Sequence, residues 1–287
     1  MAKDTFLNRN TTVKIKDGLI DLSIPSVMGI LNITPDSFYA DSRTSSIDEA
    51  LAKTEVFLNE GARFIDIGAY SSRPGAMDVD ADEELRRLIP IVEAITKKLP
   101  EAILSIDTFR ARVAKESILA GAHLINDISG GGLDDQMFET ISQLQVPYII
   151  MHMKGTPQTM RQFTSYDNIG LEIVDYFQSK IAALRALGVK DIIIDPGFGF
   201  AKTAEQSYEL LNQLEDLQLF ELPVLAGLSR KSMIYNFLDT SAQHALNGTT
   251  VLNTIALLKG ASILRVHDVK AAVECIALVQ KTLSCQQ

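Results

Sequence analysis

The chain has 287 residues, 46% of them hydrophobic, which is enough to build a full core in one large or two ordinary domains. Its formal net charge of -9 and pI near 5.0 argue against a nucleic-acid or anionic-membrane partner, which would need a basic surface. Residues 1–10 carry no apolar run of signal-peptide length and no uncharged apolar stretch reaches 18 residues, so we expect a soluble, cytoplasmic protein.

The first predicted element is a short hairpin. Residues 12–23 alternate in short runs around Asp17-Gly18, a strong hairpin signal. We therefore assign residues 1–24 to an N-terminal segment with a hairpin and residues 25–287 to the body of a single domain. Cys275 and Cys285 suit neither a disulfide framework nor a zinc motif, and we interpret them as packing residues.

From residue 25 onward, a short apolar run, a polar loop and a helical pattern repeat to the end of the chain. The predicted strands are 27–31, 64–67, 103–106, 124–126, 148–151, 192–195, 224–226 and 263–266. The predicted helices are 47–59, 82–99, 111–120, 134–144, 169–187, 204–214, 232–238, 248–259 and 269–283.

Strands that alternate with helices predict an α/β fold with parallel pairing and right-handed crossovers. Eight such units in about 250 residues favour a closed (β/α)8 TIM barrel over an open doubly wound sheet. The Gly-x-Gly-x-x-Gly fingerprint of the open sheet is also missing. In such a barrel, chemistry is performed by the loops that follow the strands.

The stretch from Ile192 to Phe200 shows this arrangement most clearly. Ile192, Ile193 and Ile194 indicate a buried strand, Asp195 stands at its carboxyl end, and Pro196-Gly197 ends it. Two glycines favour a backbone that a flat ligand can approach closely. A helix-capping acid is the alternative interpretation.

A set of four polar residues follows successive predicted strands: Asp107, Asn126, Asp195 and Lys231. Two carboxylates, an amide and an ammonium can present a fixed pattern of acceptors and donors to a heterocycle with an amidine edge and a carbonyl. One missed hydrogen bond there costs about 1 to 3 kcal/mol, which would reject analogues. The alternative is that these groups cap helices or bond to neighbouring loops.

A second set is cationic or amidic in character: Asn32, Arg73, Ser229, Arg265 and His267. An Arg guanidinium suits phosphate or carboxylate, and the loops after strands seven and eight of such barrels commonly bind phosphate. We therefore predict an anion site at the mouth. The alternative for Arg265 is an ion pair with Asp268 or another strand-end acid.

Residues 32–46 and 71–76 form polar loops whose length is typical of lids or binding loops, with disorder as the alternative. The four histidines lack the spacing of a His-based metal site, and neither a Gly-x-Ser-x-Gly elbow nor a Walker loop occurs. The sequence therefore offers no candidate for covalent catalysis.

Eight runs of residues, taken together, closely resemble the bacterial dihydropteroate synthases. They are MGILNITPDSF at 28–38, DIGAYSSRPG at 66–75, SIDT at 105–108, IND at 125–127, MHMKGTP at 151–157, DPGFGF at 195–200, GLSRKS at 227–232 and RVHDV at 265–269. The runs keep the order of that family and span nearly the whole chain.

The resemblance implies a folate-synthesis transferase. It would join (7,8-dihydropterin-6-yl)methyl diphosphate to 4-aminobenzoate with Mg²⁺ assistance, release diphosphate, form no covalent enzyme intermediate and be a target of sulfonamides. The implied pterin-binding residues are Asp107, Asn126, Met151, Asp195, Phe198, Gly227 and Lys231. The implied diphosphate residues are Asn32, Arg265 and His267, with Asn32 also on Mg²⁺, and the catalytic set is Asn32, Lys231, Arg265 and His267.

The implied aminobenzoate residues are Ser72, Arg73, Pro74, Ser229 and Lys231, beside a substrate loop that includes Thr34, Pro35, Asp36 and Phe38. Tyr70-Ser71-Ser72 stands where the family commonly has Glu-Ser-Thr, and 39–43 lacks the glycines often found there. The resemblance also implies a homodimer, for which the apolar C-terminal helices are the candidate interface. Two alternatives are a pterin-binding corrinoid methyltransferase, which would not need the diphosphate residues, and a non-catalytic pterin-binding paralogue, which would have lost them.

Overall fold

The computed structural model describes residues 11–16, 18–33, 43–70 and 79–285, and for 43–46 it describes the main chain alone. Asp17 of the predicted hairpin lies outside these ranges. So do two groups of predicted site residues, one from each of the long loops: Thr34, Pro35, Asp36 and Phe38, and Ser72, Arg73 and Pro74.

The hairpin and all eight predicted barrel strands are present. The strands are β1 (Thr12–Ile15), β2 (Gly18–Asp21), β3 (Ser26–Asn32), β4 (Phe64–Gly68), β5 (Leu104–Asp107), β6 (Leu124–Asp127), β7 (Tyr148–Met151), β8 (Ile192–Asp195), β9 (Leu225–Ala226) and β10 (Ile263–Val266). The α-helices in the described ranges are α1 (Arg43–Asn59), α2 (Ala81–Lys98), α3 (Ala111–Leu119), α4 (Met137–Leu144), α5 (Ile169–Ala186), α6 (Ala204–Asn212), α7 (Ser232–Phe237), α8 (Leu246–Leu258) and α9 (Val269–Ser284).

β1 and β2 pair antiparallel, whereas the other eight strands are parallel in the order β8-β7-β6-β5-β4-β3-β10-β9. A bridge between Ile194 and Val224 joins β8 to the segment entering β9, and it closes the ring. The predicted (β/α)8 barrel with a leading hairpin is therefore confirmed. Two helices in the described ranges begin more than two residues away from their predicted starts. α1 begins at Arg43 and not at 47, so the end of the predicted loop 32–46 is helical, and α4 begins at Met137 and not at 134.

Most barrel strands are buried on both faces, which explains their run of β-branched and aliphatic residues. Outward residues such as Ile65 and Ile194 pack with the helices in one large cluster. The inward residues form a second cluster with the hairpin, in which Val13 and Ile20 contact the layer that contains Phe64. The hairpin thus covers the amino-terminal end of the barrel and leaves its carboxyl-terminal end for a site.

Two smaller observations complete the fold. Both cysteines are free, and Cys275 is buried as expected, but Cys285 is exposed, so its interpretation as a packing residue is wrong. Across the part of the chain that is described, each helix is too short or too polar to cross a membrane.

Candidate active site at the barrel mouth

The polar residues of the site lie directly above the apolar interior because strand side chains alternate between the two faces. On four strands an inward apolar residue is followed two positions later by an inward polar one. These pairs are Phe64 and Asp66, Leu124 and Asn126, Ile193 and Asp195, and Ile263 and Arg265. The period of two that packs the interior therefore also assembles the mouth.

Arg265 lies between two carboxylates. Its Nε donates to Oδ2 of Asp66 over 2.7 Å, and its Nη2 donates to Oδ2 of Asp107 over 2.7 Å. The amide Nδ2 of Asn126 donates to the same Asp66 oxygen over 3.0 Å. The structure thus shows the strand-end ion pair that was the alternative for Arg265, with Asp66 as a shared acceptor that was not among the predicted site residues.

Burial controls the ionisation of this group. Burial raises the pKa of Asp107 to about 7, against the opposing effect of Arg265. For Arg265 burial favours a lower pKa, but the charges of Asp66 and Asp107 outweigh it and hold the pKa above its ordinary value. Arg265 is therefore charged, and burial disfavours the charged form of Asp107 beside it.

Asp195 and Lys231 form the other half of the mouth. Oδ1 of Asp195 accepts from the N–H of Gly197 over 2.7 Å, and Nζ of Lys231 donates to the Phe198 carbonyl. Burial raises the pKa of Asp195, and the charge of Lys231 opposes this shift. Burial lowers the pKa of Lys231 to about 8, with Asp195 opposing it and Arg265 reinforcing it. The mutual shifts place Asp195, Lys231 and Arg265 in one electrostatic site.

An apolar wall stands beside these polar groups. Met151 packs in a cluster with Ile128, Met153, Met160 and Ala201, against the partly buried ring of Phe200. The Phe200 ring also lies 4.5 Å from Nζ of Lys231. A flat ring held by the polar groups could pack on this wall, and sequence reasoning missed Phe200.

Two predicted pterin-binding residues, Phe198 and Gly227, present no side chain to the mouth of the barrel. The Phe198 side chain is fully buried in the main core, so any ligand contact would use its backbone. A Cβ at Gly227 would lie 3.9 Å from Asp195 Oδ2. Because Gly227 has no Cβ, the space beside this oxygen stays open. The roles of both residues remain predictions.

Two of the predicted anion residues, Ser229 and His267, form a pair at the mouth, and beside them Arg230 and Asp268 form a structural pair. The Ser229 hydroxyl lies 3.0 Å from Nδ1 of His267 and accepts from the His267 N–H over 3.2 Å. Arg230 instead binds Asp268 through two bonds of 2.9 and 2.6 Å. Arg230 therefore anchors the loop after β9 to the start of α9, and Asp268 is not the partner of Arg265.

Asp127, next to Asn126, faces the helices and has a structural role. Its oxygens accept from the Ser129 N–H and hydroxyl over 2.7 Å each, from the Gly131 N–H over 2.8 Å and from the Tyr148 hydroxyl over 2.6 Å. Burial raises the pKa of Asp127, while these donors act in the opposite direction. Here the prediction that a strand-end acid bonds its neighbouring loop is the correct one.

Asn32 ends β3 and pairs with Gly68 of β4. Asp107 also lies next to Gly68. A Cβ at Gly68 would be 3.8 Å from Asn32 Oδ1 and 3.4 Å from Asp107 Cβ, so this glycine leaves a gap between the two side chains. In the described ranges no group of three His, Cys, Asp or Glu side chains could hold a metal. One amide oxygen beside a gap fits Mg²⁺, which commonly takes few protein ligands and several from phosphate and water.

Tyr70, where the family commonly has Glu, joins two loops of the mouth. Its hydroxyl accepts from Nε2 of Gln158 over 2.6 Å, and its ring packs edge-on to Phe109 with centroids 5.1 Å apart. The departure therefore replaces an acid with an aromatic contact that connects the loop after β4 to the loops after β5 and β7.

The comparisons with known proteins agree with this geometry. The family described as pterin binding enzyme matches residues 28–267. Dihydropteroate synthase of Escherichia coli K12 is 42% identical over 270 residues, covering 93% of this chain and 95% of that protein. The Haemophilus influenzae enzyme is 41% identical, with 92% and 96% covered.

Solved structures lead to the same family. Yersinia pestis dihydropteroate synthase in a sulfonamide drug complex superposes with a TM-score of 0.89 at 41% identity, covering 95% of this chain and 99% of that one. The Xanthomonas albilineans enzyme with 4-aminobenzoic acid gives 0.88 at 34% identity, with 96% and 98% covered. This chain therefore belongs to the pterin-binding enzyme family and, within it, to the dihydropteroate synthases of folate biosynthesis.

Proposed function

We propose that the protein condenses (7,8-dihydropterin-6-yl)methyl diphosphate with 4-aminobenzoate to give 7,8-dihydropteroate and diphosphate. The observation that supports this most strongly is the division of the mouth into two halves. Asp195, Asn126 and Lys231 offer a buried pattern of acceptors and donors, and Arg265, Ser229 and His267 stand beside it as an anion site. A substrate with both a heterocycle and a diphosphate matches both halves.

The pterin ring would bind edge-on to Asp195. Oδ1 of Asp195 is held by the Gly197 N–H, which orients the carboxylate and leaves Oδ2 beside Gly227. A carboxylate fixed in this way can accept from a ring N–H and an exocyclic amine, while Lys231 donates to a ring oxygen or nitrogen. Met151 and Phe200 would cover a face of the ring.

The diphosphate would leave from the cationic half. In the described structure Arg265 uses Nε and Nη2 for Asp66 and Asp107, and its remaining N–H donors would bind an oxyanion. Arg265 and His267 would stabilise the negative charge that develops as the C–O bond breaks. Mg²⁺, held with the help of Asn32, would supply further neutralisation of the diphosphate. The pterin can stabilise a cationic methylene, so no protein nucleophile is needed.

The neutral arylamine of 4-aminobenzoate would then attack the cationic methylene carbon, and its nitrogen would release a proton to solvent as the C–N bond forms. Ser229 belongs to the anion site through its contact with His267, and the other implied contacts, Ser72, Arg73 and Pro74, follow Tyr70 in the chain. Because sulfonamides mimic aminobenzoate, they would compete at the same place. The exchange of Glu-Ser-Thr for Tyr70-Ser71-Ser72 is the feature that would alter the affinity of sulfonamides.

The cytoplasmic location stays a prediction.

We also propose that the protein is a homodimer, joined through the outer face of α8 and α9. No residue of α8 is charged, and Val251, Ile255 and Leu258 are exposed along one side of it. α9 packs against α8, and its Leu278 is 70% exposed. A helix this apolar on its outward side needs a partner surface, and a second copy supplies a self-complementary one.

The reaction is tested directly by mixing the pure protein with the pterin diphosphate, 4-aminobenzoate and Mg²⁺. We expect dihydropteroate and diphosphate in equal amounts, and loss of most of this activity when EDTA removes Mg²⁺. Both products are separated and quantified by liquid chromatography. A protein that binds 6-hydroxymethylpterin but forms no product would contradict the proposed transferase and favour a binding paralogue.

Replacement of one carboxylate oxygen at Asp195 tests the pterin half of the site. Asp195→Asn removes an acceptor in a buried place, and we expect 6-hydroxymethylpterin to bind about 30-fold more weakly or worse. Isothermal titration calorimetry measures this affinity. The matched control is Asp216→Asn at an exposed position in the 3-10 helix after α6, which should bind as the wild type does. Equal affinities of Asp195→Asn and the wild type would remove Asp195 from the site.

The dimer proposal predicts a particle of twice the 31.5 kDa chain mass in sedimentation velocity. Ile255→Glu places a charge on the apolar face of α8 and should raise the dimer dissociation constant by about 30-fold or more. Leu171→Glu is the control, because Leu171 is also an exposed leucine of a helix but lies on α5, away from this face. A monomeric wild type, or a dimer that Ile255→Glu leaves unchanged, would refute the proposed interface.

A further inference from the structure

Lys202 is a lysine buried beneath the mouth, and the proposed reaction gives it no task. Only 8% of it is exposed, and it lies in the loop between β8 and α6. Burial lowers the pKa of a lysine in such a place, and that of Lys202 falls well below its ordinary value, against the opposing effect of Asp195. A lysine that bears this cost needs a full set of hydrogen-bond partners.

The amino group of Lys202 has such a set. It donates to the Gly197 carbonyl over 2.9 Å and to the Phe200 carbonyl over 3.0 Å, and it lies 2.9 Å from Nδ1 of His152. His152 is 1% exposed and follows β7. Burial, followed by the charges of Lys202 and Lys154, lowers the pKa of His152 to about 2. A neutral His152 can therefore accept from Lys202 at Nδ1, and the His152 carbonyl also lies 3.5 Å from the same nitrogen.

These bonds fix the loop that carries the pterin contacts. Gly197 and Gly199 have φ of +69° and +75°, so the loop needs a backbone conformation that other residues rarely adopt. A Cβ at Gly197 would lie 2.2 Å from the His152 carbonyl, which shows how closely the loop is packed against the end of β7. Lys202 bonds to both sides of this contact.

The same loop presents its other groups to the ligand site. The N–H of Gly197 orients Asp195, the Phe198 carbonyl accepts from Lys231, and the Phe200 ring lies against the Lys231 ammonium. Lys202 itself does not reach these ligand-facing atoms. It holds the backbone from which they extend.

We propose that Lys202 is a positioning residue for pterin binding: through the 197–200 loop it holds Asp195 and Lys231 in the geometry that fits the ring. This inference rests on the proposed function, because it assigns the pterin to Asp195 and Lys231. It predicts a larger effect on the pterin substrate than on 4-aminobenzoate, since Asp195 is assigned to the pterin alone and the bonds of Lys202 go to the β7 and β8 segments and not to Ser229.

The test compares two variants. Lys202→Met has a side chain of similar length but no hydrogen-bond donor, and Lys202→Gln keeps the donors of an amide. Steady-state kinetics are measured with each substrate varied in turn, and thermal unfolding is followed to confirm that each variant is folded. For Lys202→Met we expect the KM for the pterin diphosphate to rise about tenfold or more, with the KM for 4-aminobenzoate within about twofold of wild type. Lys202→Gln should recover part of the loss.

Lys154→Met is the matched control. Lys154 is also a lysine of the loop after β7, but it binds Glu172 and the Ser165 carbonyl and contacts none of the 197–200 loop through those bonds. It should keep both KM values near wild type. If Lys202→Met does not fold, the comparison rests on Lys202→Gln, for which a selective rise in the pterin KM is still expected.

A folded Lys202 variant with an unchanged pterin KM would overturn the proposal, as would KM values that rise equally for both substrates. Failure of the proposed function is distinguished by the wild-type protein, which would then form no dihydropteroate at all.

Discussion

The ion pair of Arg265 with Asp66 and Asp107 is the interaction on which the mouth of the barrel depends. Asp66 is fully buried, and a buried carboxylate needs a cationic or hydrogen-bonding partner. Arg265 provides it from the opposite side of β3, while Asn126 donates from β6. The network ties β10 to β4, β5 and β6, so four strands share one set of bonds. Loss of one partner from a buried pair of this kind costs about 3 to 5 kcal/mol.

This network also separates the two chemical tasks. Arg265 is fixed by the carboxylates of Asp66 and Asp107. Asp195 and Lys231 lie close enough to shift the pKa values of their neighbours, although neither has a hydrogen bond to Arg265 in the described structure. A heterocycle that needs a carboxylate acceptor and a diphosphate that needs cations can then bind at adjacent places. Burial raises the pKa of Asp107 to about 7, and the charge of Arg265 only partly opposes this shift.

Much of this could be predicted from the sequence because the barrel repeats one simple pattern. A short apolar run buried on both faces, followed by a polar residue, gave all eight strands and placed Asp107, Asn126, Asp195 and Arg265 at one end. The start of α4 was misplaced because Asp134 does not enter the helix. Its carboxylate accepts instead from the N–H groups of Gln136 and Ala111, a tertiary contact that helical periodicity does not reveal.

The residues that sequence reasoning missed all act through partners distant in the chain. Asp66 was not among the predicted site residues, although Arg265, 199 residues away, makes it the shared acceptor. Lys202 has the appearance of a solvated loop lysine until His152 is found beside it. Phe198 and Phe200 are the same residue type two positions apart, so the sequence does not distinguish them. The turn between them buries Phe198 and brings Phe200 to Lys231. Ring contacts and buried cations of this kind depend on loop conformation, which spacing alone does not fix.

The central claim is that one site at the carboxyl-terminal end of the barrel holds the pterin and the diphosphate side by side. A crystal structure with 6-hydroxymethylpterin and diphosphate tests it most directly. The account predicts pterin nitrogens within about 2.7 to 3.2 Å of Asp195 and diphosphate oxygens at a similar distance from Arg265 and His267. A pterin bound on another face of the protein, or a diphosphate that avoids Arg265, would contradict it.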